Sequence, residues 1–391
     1  MANVENYPVL NMLNLIALQD LQEHAILRDI PRRILNLRQA DQFELPDSLF
    51  IKLYRLNKQR ASDVLDIVTN YIPEPTRRSA LDAQTMLFTA LRFYAGGSYQ
   101  VDAGFNVFNG ISQPSTSRSI NTITNILNKE EIQHEWIHFP ENLNEMNNNK
   151  NGFWQKFNFP NAIGCIDCTH IKIFPPKTND LDQPELIFVN RKGYHSLNVQ
   201  LICDANYKII HVDSRWPGSN HDSFIWNQCN VLPLMETLYE RNQRFFLIGD
   251  SGYALRPWMM TPITNAAPNT PEEYYTQRLT STRSIIERVN GVLKMRFRCL
   301  IQYRALQYAP AKVAKIVNAC CVLHNMCIRD DIPVPDMQLN EEQIGLYPIA
   351  FELDEVRGNR LNPDLAAGKR IQQQIITELW IRRQALGNFR E

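Results

Sequence analysis

Apolar residues recur at helical spacing from Leu10 to Leu27 and from Leu49 to Ile72, and again over Asp82–Tyr94 beyond Pro73 and Pro75. From Asn161 the texture changes to short β-rich runs: Ala162–Ile173, His195–Cys203, Ile209–Ser214 and Phe245–Ile248. Ser223–Leu238, between the third and fourth runs, reads as a helix. Helical periods return at Ser284–Phe297 and Ala311–Ile328, and the tail carries Pro333, Pro335 and Pro348 before a helix over Ala366–Leu386. Asn147-Asn148-Asn149-Lys150-Asn151 reads as an exposed linker. The order from Asn161 is strand, strand, strand, helix, strand, then helices. That is the order of a ribonuclease-H-like α/β core, one of several α/β folds open at this level. The expected divisions are a helical region over 1–80, a helical unit over 81–130, a linker over 131–160, the α/β core over 161–330 and a tail with a helix over 331–391.

The chain of 391 residues is 44% apolar and 21% charged, which suits two or three packed units and excludes a mainly disordered, coiled-coil or collagen-like protein. No run reaches the ~18 consecutive apolar residues of a membrane span, so no membrane association is expected. Met1-Ala2-Asn3-Val4-Glu5 has neither the basic nor the apolar part of a signal peptide. Lys plus Arg and Asp plus Glu both number 41, so any nucleic-acid role must rest on local charge. The eight cysteines are scattered, which fits a reducing compartment. Cys165-Ile166-Asp167-Cys168 with Cys321, His324 and Cys327 is a candidate zinc set, but the second CxxC is missing and the apolar surroundings favour buried thiols.

Four carboxylates narrow the chemistry. Asp167 lies within an apolar strand, where a lone acid is costly without a cation or several donors. Asp250 ends the apolar run Phe245–Ile248, between Gly249 and Gly252. Asp222 opens a helix, where an acid also simply stabilises the dipole. Glu287 shares a helix face with Arg283, Asn290 and Lys294, which alone would suit a solvated face with Arg283–Glu287 and Glu287–Lys294 pairs. Acids converging from separate elements repel unless divalent cations neutralise them, and hard oxygen ligands select Mg²⁺ or Mn²⁺. Two such ions per site can activate a water or a 3′-hydroxyl and stabilise the leaving oxygen of a phosphodiester.

Asp167-Cys168-Thr169-His170-Ile171, Trp216-Pro217-Gly218-Ser219 with His221-Asp222-Ser223, and Gly249-Asp250-Ser251-Gly252-Tyr253 stand in one order along the chain. Arg256-Pro257-Trp258, Ile286-Glu287-Arg288 before Gly291-Val292-Leu293-Lys294, and Leu323-His324-Asn325 follow. From about Leu81 to Ile328 the chain thereby resembles the PIF/Harbinger DDE transposases and their domesticated nuclease relatives. The resemblance implies a ribonuclease-H-like catalytic core that binds divalent metal through Asp167, Asp222, Asp250 and Glu287. Topology favours Asp250 as the central acid, with Asp222 as a further ligand or positioning residue. Asn290 departs from the pattern, which often has an aromatic there, and is read as a packing or substrate-contact difference.

Leu87–Tyr94, Gln100–Phe108 and Pro114–Leu127 read as a helix-turn-helix, so that an all-α region precedes the core. Its third helix offers Ser115, Ser117, Arg118, Asn121 and Thr122 to phosphates and base edges. Residues 1–130 nonetheless hold 13 basic and 13 acidic residues, and a scaffold without DNA contact is the competing view. Between Glu273 and Arg304 seven basic residues, Arg283, Lys294, Arg296 and Arg298 among them, face two acids, a patch suited to a phosphate backbone. The leading expectation is a metal-dependent DNA endonuclease, cutting double-stranded DNA at element ends and joining 3′-hydroxyls to target DNA, in a possible homodimer. A DNA- or protein-binding adaptor with vestigial catalysis is the alternative, and a ribonuclease on RNA–DNA hybrids a weaker third. Nuclear entry would rest on the pairs Arg32-Arg33, Arg77-Arg78 and Arg382-Arg383, each short for an import signal. The resemblance implies a Myb/SANT-like accessory protein that assists import, leaving the chain cytoplasmic when alone. The helix Ile371–Leu386, with Ile375, Leu379, Trp380 and Ile381, is its candidate docking face.

Overall fold

A computed structural model describes residues 41–74, 80–97, 100–104, 110–177, 184–334 and 363–387. The expected helix over Leu10–Leu27 and the pairs Arg32-Arg33 and Arg77-Arg78 lie outside them. Among the described residues seven helices precede the sheet: α1 (Asp47–Tyr54), α2 (Lys58–Thr69), α3 (Ala83–Gly96), α4 (Gln100–Gly104), α5 (Gln113–Leu127), α6 (Glu130–Trp136) and α7 (Leu143–Phe157). Side chains close their first turns: Asn57, Asp82 and Asn142 accept hydrogen bonds from the amides of Arg60, Thr85 and Glu145. The Leu49–Ile72 period is thus two helices, broken where Arg55 adopts a left-handed φ of 65°.

The stretch 131–160, expected as a linker, is largely α6 and α7. Asn147–Asn151 lies inside α7, whose buried Met146 and Phe153 pin it to the core while Asn149 Nδ2 donates to the Ile163 carbonyl at 3.2 Å. Polar composition here marks the wet side of a helix.

The sheet comprises β1 (Ala162–Lys172), β2 (Ser196–Cys203), β3 (Ile209–Pro217), β4 (Phe246–Ile248) and β5 (Met259–Met260), in the order β3-β2-β1-β4-β5. The first three pair antiparallel; β4 joins β1 in parallel and β5 joins β4 in parallel. This five-stranded mixed sheet with flanking helices is consistent with a ribonuclease-H-like core. Between β3 and β4 the expected single helix is two, α8 (Asp222–Asn227) and α9 (Val231–Glu240), parted at Gln228–Asn230. Three helices follow among the described residues: α10 (Pro271–Arg296), α11 (Pro310–Arg329) and α12 (Pro363–Gly387). α10 begins well before Ser284 because Thr270 caps it, accepting from the Glu273 amide, and Pro271 needs no donor in the first turn.

Strand alternation splits the core. Phe246 and Ile248 point into a large cluster shared with α1–α3, α5, α10, α11 and α12, whereas Leu247 points into a smaller one with Trp226, Met235 and Trp258. The N-terminal helices therefore share one hydrophobic core with the sheet. α11 is apolar and long enough to cross a membrane, yet it is mostly buried inside this core. α12 buries Ile375, Ile376 and Leu379, and Gln372 Nε2 donates to the Thr261 carbonyl at 3.0 Å. The face expected to dock a partner is thus used within the chain, with Ile381 left exposed.

The thiols are buried apart from the half-buried Cys168. Cys165 and Cys168 fall on opposite faces of β1, Cys327 Sγ donates to the Arg55 carbonyl at 3.3 Å, and His324 Nε2 meets the Tyr207 carbonyl at 3.0 Å. Burial draws the His324 pKa down to about 4, so its ring is neutral near pH 7. Below its ordinary value near 6.5 the unfolded chain takes up a proton that the folded chain refuses. Stability should therefore fall between pH 6.5 and 4, by up to about 3 kcal/mol from this residue. His324→Gln, which keeps a donor for Tyr207, should flatten that slope in urea melts at pH 7 and 4.5. Half-buried His170 and His211, also drawn to about 4, retain theirs in both proteins. Parallel slopes would refute the assignment.

Candidate active site

Cys165 on β1 pairs with Ile248 at the end of β4, so two residues further along each chain segment Asp167, still on β1, and Asp250 come to the same end of this parallel pair. Asp250 lies just past the end of β4, where the Gly252 amide donates to Oδ1 at 2.9 Å. Gly249 packs against the Tyr253 ring and Met259 so closely that a Cβ would reach to 2.8 Å, so the turn admits glycine. Asp222 opens α8 and accepts at 2.9 Å from Nδ2 of Asn198 in β2, which also donates to the Asn220 carbonyl. α10 crosses above and brings Arg283, Glu287 and Asn290 to the same place.

Asn290, only 1% exposed, donates from Nδ2 to Asp167 Oδ2 at 3.0 Å. Its reading as a packing or substrate-contact difference gives way to a more specific place: it holds the first strand's acid. The signal was present, because Asn290 shares a helix face with Glu287. Arg283 bridges two acids, its guanidinium 3.8 Å from Asp167 Oδ1 and bonded to Glu287 Oε1.

Burial pushes the Asp167 pKa well above the usual carboxylate range; Arg283 opposes that rise, and Asp250, Asp222 and Glu287 add to it. Asp250 is raised by burial, against the Gly252 amide and Arg283, with Asp222 and Glu287 again adding. Asp222 is raised by burial against its bonds to Asn198 and Cys168. Four acids against Arg283, with Arg191 acting on Asp222, leave surplus negative charge, and an all-carboxylate donor set suits a hard divalent cation. Among the described residues no three His, Cys, Asp or Glu side chains stand close enough to enclose an ion, and Arg283 supplies the counter-charge.

The basic residues divide. Lys294 is 1% exposed and donates from Nζ to the His170 carbonyl at 3.3 Å, with burial lowering its pKa to about 7. It does not pair with Glu287 as a solvated face would. Arg296 is buried and ties α10 to the carbonyls of Ile332 and Pro333. Neither can serve as a free phosphate contact, which corrects the expected patch. Arg283 is committed to the acids, and Arg298 is half-buried with an enclosed Nε. On α5, Arg118 and Asn121 are exposed and Ser115, Ser117 and Thr122 half-exposed, with Arg118 Nη2 donating to Ser115 Oγ at 2.9 Å. The end of that helix docks on α11 through Asn128 Nδ2 and the Lys315 carbonyl at 2.7 Å.

A ribonuclease-H-like sheet with acids on adjacent strands and on a crossing helix defines a DDE-type endonuclease domain. Residues 166–325 match the family described as DDE superfamily endonuclease. The HARBI1 protein of Xenopus laevis is 33% identical over 332 residues, 82% of this chain and 92% of its own length. That of Homo sapiens is 35% identical over 334 residues, with the same coverage. A plant relative, the ALP1-like protein of Arabidopsis thaliana, is 24% identical over 60% of this chain and 58% of its own. No solved structure matches. The chain belongs to the PIF/Harbinger superfamily of DDE transposases and transposase-derived nucleases.

Proposed function

We propose that this protein is a divalent-metal-dependent DNA endonuclease. The carrying observation is that Asp167 on β1 and Asp250 just past β4 are neighbours, that Arg283 on the crossing helix links Asp167 to Glu287, and that Asp222 and Glu287 both lie near enough to raise the Asp167 pKa. The HARBI1 relatives carry the word nuclease in their names, which supports the same reading. Asp167, Asp250 and Glu287 would hold Mg²⁺ or Mn²⁺, with Asp222 as a further ligand, two ions per site. Bound there, the cations would activate a water or a 3′-hydroxyl and stabilise the leaving oxygen. Asn290 keeps one Asp167 oxygen oriented, and Arg283 balances charge beside the other. Asn290→Ala should weaken Mn²⁺ binding by about tenfold, the usual loss when a ligand's hydrogen-bonding partner goes, with the fold intact. Calorimetric titration checks this, and an unchanged affinity would return Asn290 to a packing role.

Labelled duplex DNA incubated with Mg²⁺, Mn²⁺ or EDTA tests the reading as a whole. Metal-dependent cuts ending in 3′-hydroxyls are expected. Metal binding without any cleavage would favour the adaptor alternative. Strand joining to target DNA, end recognition by a helix-turn-helix over 81–130, and homodimer formation extend the proposal.

A Myb/SANT-like partner and assisted nuclear import complete it. The support is the neutral 13-to-13 charge balance of residues 1–130 and the short basic pairs. A tagged chain expressed in cells without such a partner should stay cytoplasmic; strong nuclear accumulation would overturn this part.

A further inference from the structure

Beside Asp222 the surface is aromatic and basic. Phe224, two residues on in α8, is 45% exposed and meets Trp216 edge-to-face, with ring centroids 5.5 Å apart and planes at 88°. Trp216 is fixed: Nε1 donates to Asp213 Oδ2 at 3.0 Å, and the Arg215 guanidinium lies 5.8 Å from the ring centroid. In the β2–β3 register Trp216 stands opposite Asn198, the residue that holds Asp222, so both side chains leave the sheet on one face. The segment before β2 closes the same corner, since the Ser219 amide donates to the Ile187 carbonyl at 3.0 Å. That segment carries Leu186, 78% exposed, and exposed Arg191 and Lys192, with Arg191 against His221, the residue before Asp222.

We propose that Trp216 and Phe224 form a shelf on which an unpaired nucleotide beside the scissile phosphate stacks, with Arg191 and Lys192 taking the adjoining phosphates. This rests on the DNA-cleaving reading above and names how the strand is held there. Large apolar side chains beside a cluster of acids gain nothing from water, and two rings held by hydrogen bonding and packing lose little entropy on meeting a base. Base-on-aromatic stacking tolerates any sequence, because every base has a π face, and nearby cations supply the salt-dependent part. The occupant is nucleic acid because the cationic pair adjoins the aromatic one, whereas a protein's apolar anchor needs no cations.

The experiment measures anisotropy of the full chain with a labelled duplex carrying a three-nucleotide single-stranded gap, and with its fully paired counterpart, both in EDTA. Phe224→Ala should bind the gapped duplex about tenfold more weakly and the paired duplex within twofold of wild type. Phe224→Trp should bind both as wild type does, and melting curves of both variants control for folding. Equal affinity of Phe224→Ala and wild type for the gapped duplex overturns the shelf, as does an equal loss on both DNAs. If wild type meanwhile still cuts duplex DNA, only the shelf falls. If wild type neither binds nor cuts either DNA, the endonuclease reading falls with it.

Discussion

Asp167→Asn is expected to abolish metal-dependent cleavage, by on the order of 10³-fold or more, while raising the melting temperature of the metal-free protein. The first effect follows from the several kcal/mol that charge stabilisation at a carboxylate metal site supplies to phosphodiester cleavage. The second follows from the raised pKa of Asp167. Above its ordinary value near 3.8, the folded chain holds this proton more tightly than the unfolded chain does. Ionisation therefore costs stability, increasingly as pH rises through the folded-state pKa, and neutral Asn is exempt. Asp250→Asn and Glu287→Gln should lose cleavage likewise. With Mn²⁺ the order reverses, since wild type gains stability by binding and Asp167→Asn gains little. Differential scanning in EDTA and in Mn²⁺, beside cleavage assays, reads both effects. A variant that cuts at the wild-type rate removes that residue from the catalytic set.

The largest stability loss is expected from Asn325→Ala. Asn325 is 3% exposed; its Oδ1 accepts from the Ile209 amide at 2.8 Å, and its Nδ2 donates to the carbonyls of Ile209 at 2.7 Å and Trp136 at 2.8 Å. Ile209 opens β3, the edge strand, so this amide on α11 covers an edge and ties it to α6. Truncation leaves three buried backbone groups without partners, which should cost about 3 kcal/mol or more. Urea unfolding checks it, and a loss below about 1 kcal/mol would mean that water replaces the amide.

The strands were legible because each is a short apolar run between polar breaks, and their order placed Asp167 beside Asp250. The register that brings these two acids to one end of the pair needed the fold, since sequence spacing does not fix where a parallel pair begins. Charge counting failed on α10 for a physical reason. Lys294 and Arg296 look like surface residues in sequence, but the helix is packed against the sheet and the segment at Ile332–Pro333, and each cation is satisfied by carbonyls. Asn290 reads in sequence as a packing or substrate-contact difference because an amide beside four carboxylates has no evident partner until the fold sets it against Asp167, although its place on the Glu287 face pointed there. The aromatic pair at Trp216 and Phe224 could not be seen at all, as it depends on α8 turning back over β3.

Anomalous diffraction from crystals soaked in Mn²⁺ tests most directly whether these carboxylates form a metal centre. A peak within about 2.3 Å of oxygens from both Asp167 and Asp250, with Glu287 or Asp222 completing the set, is the result expected. Manganese bound elsewhere, or an Asp167–Asp250 pair left without a peak at millimolar Mn²⁺, would contradict it.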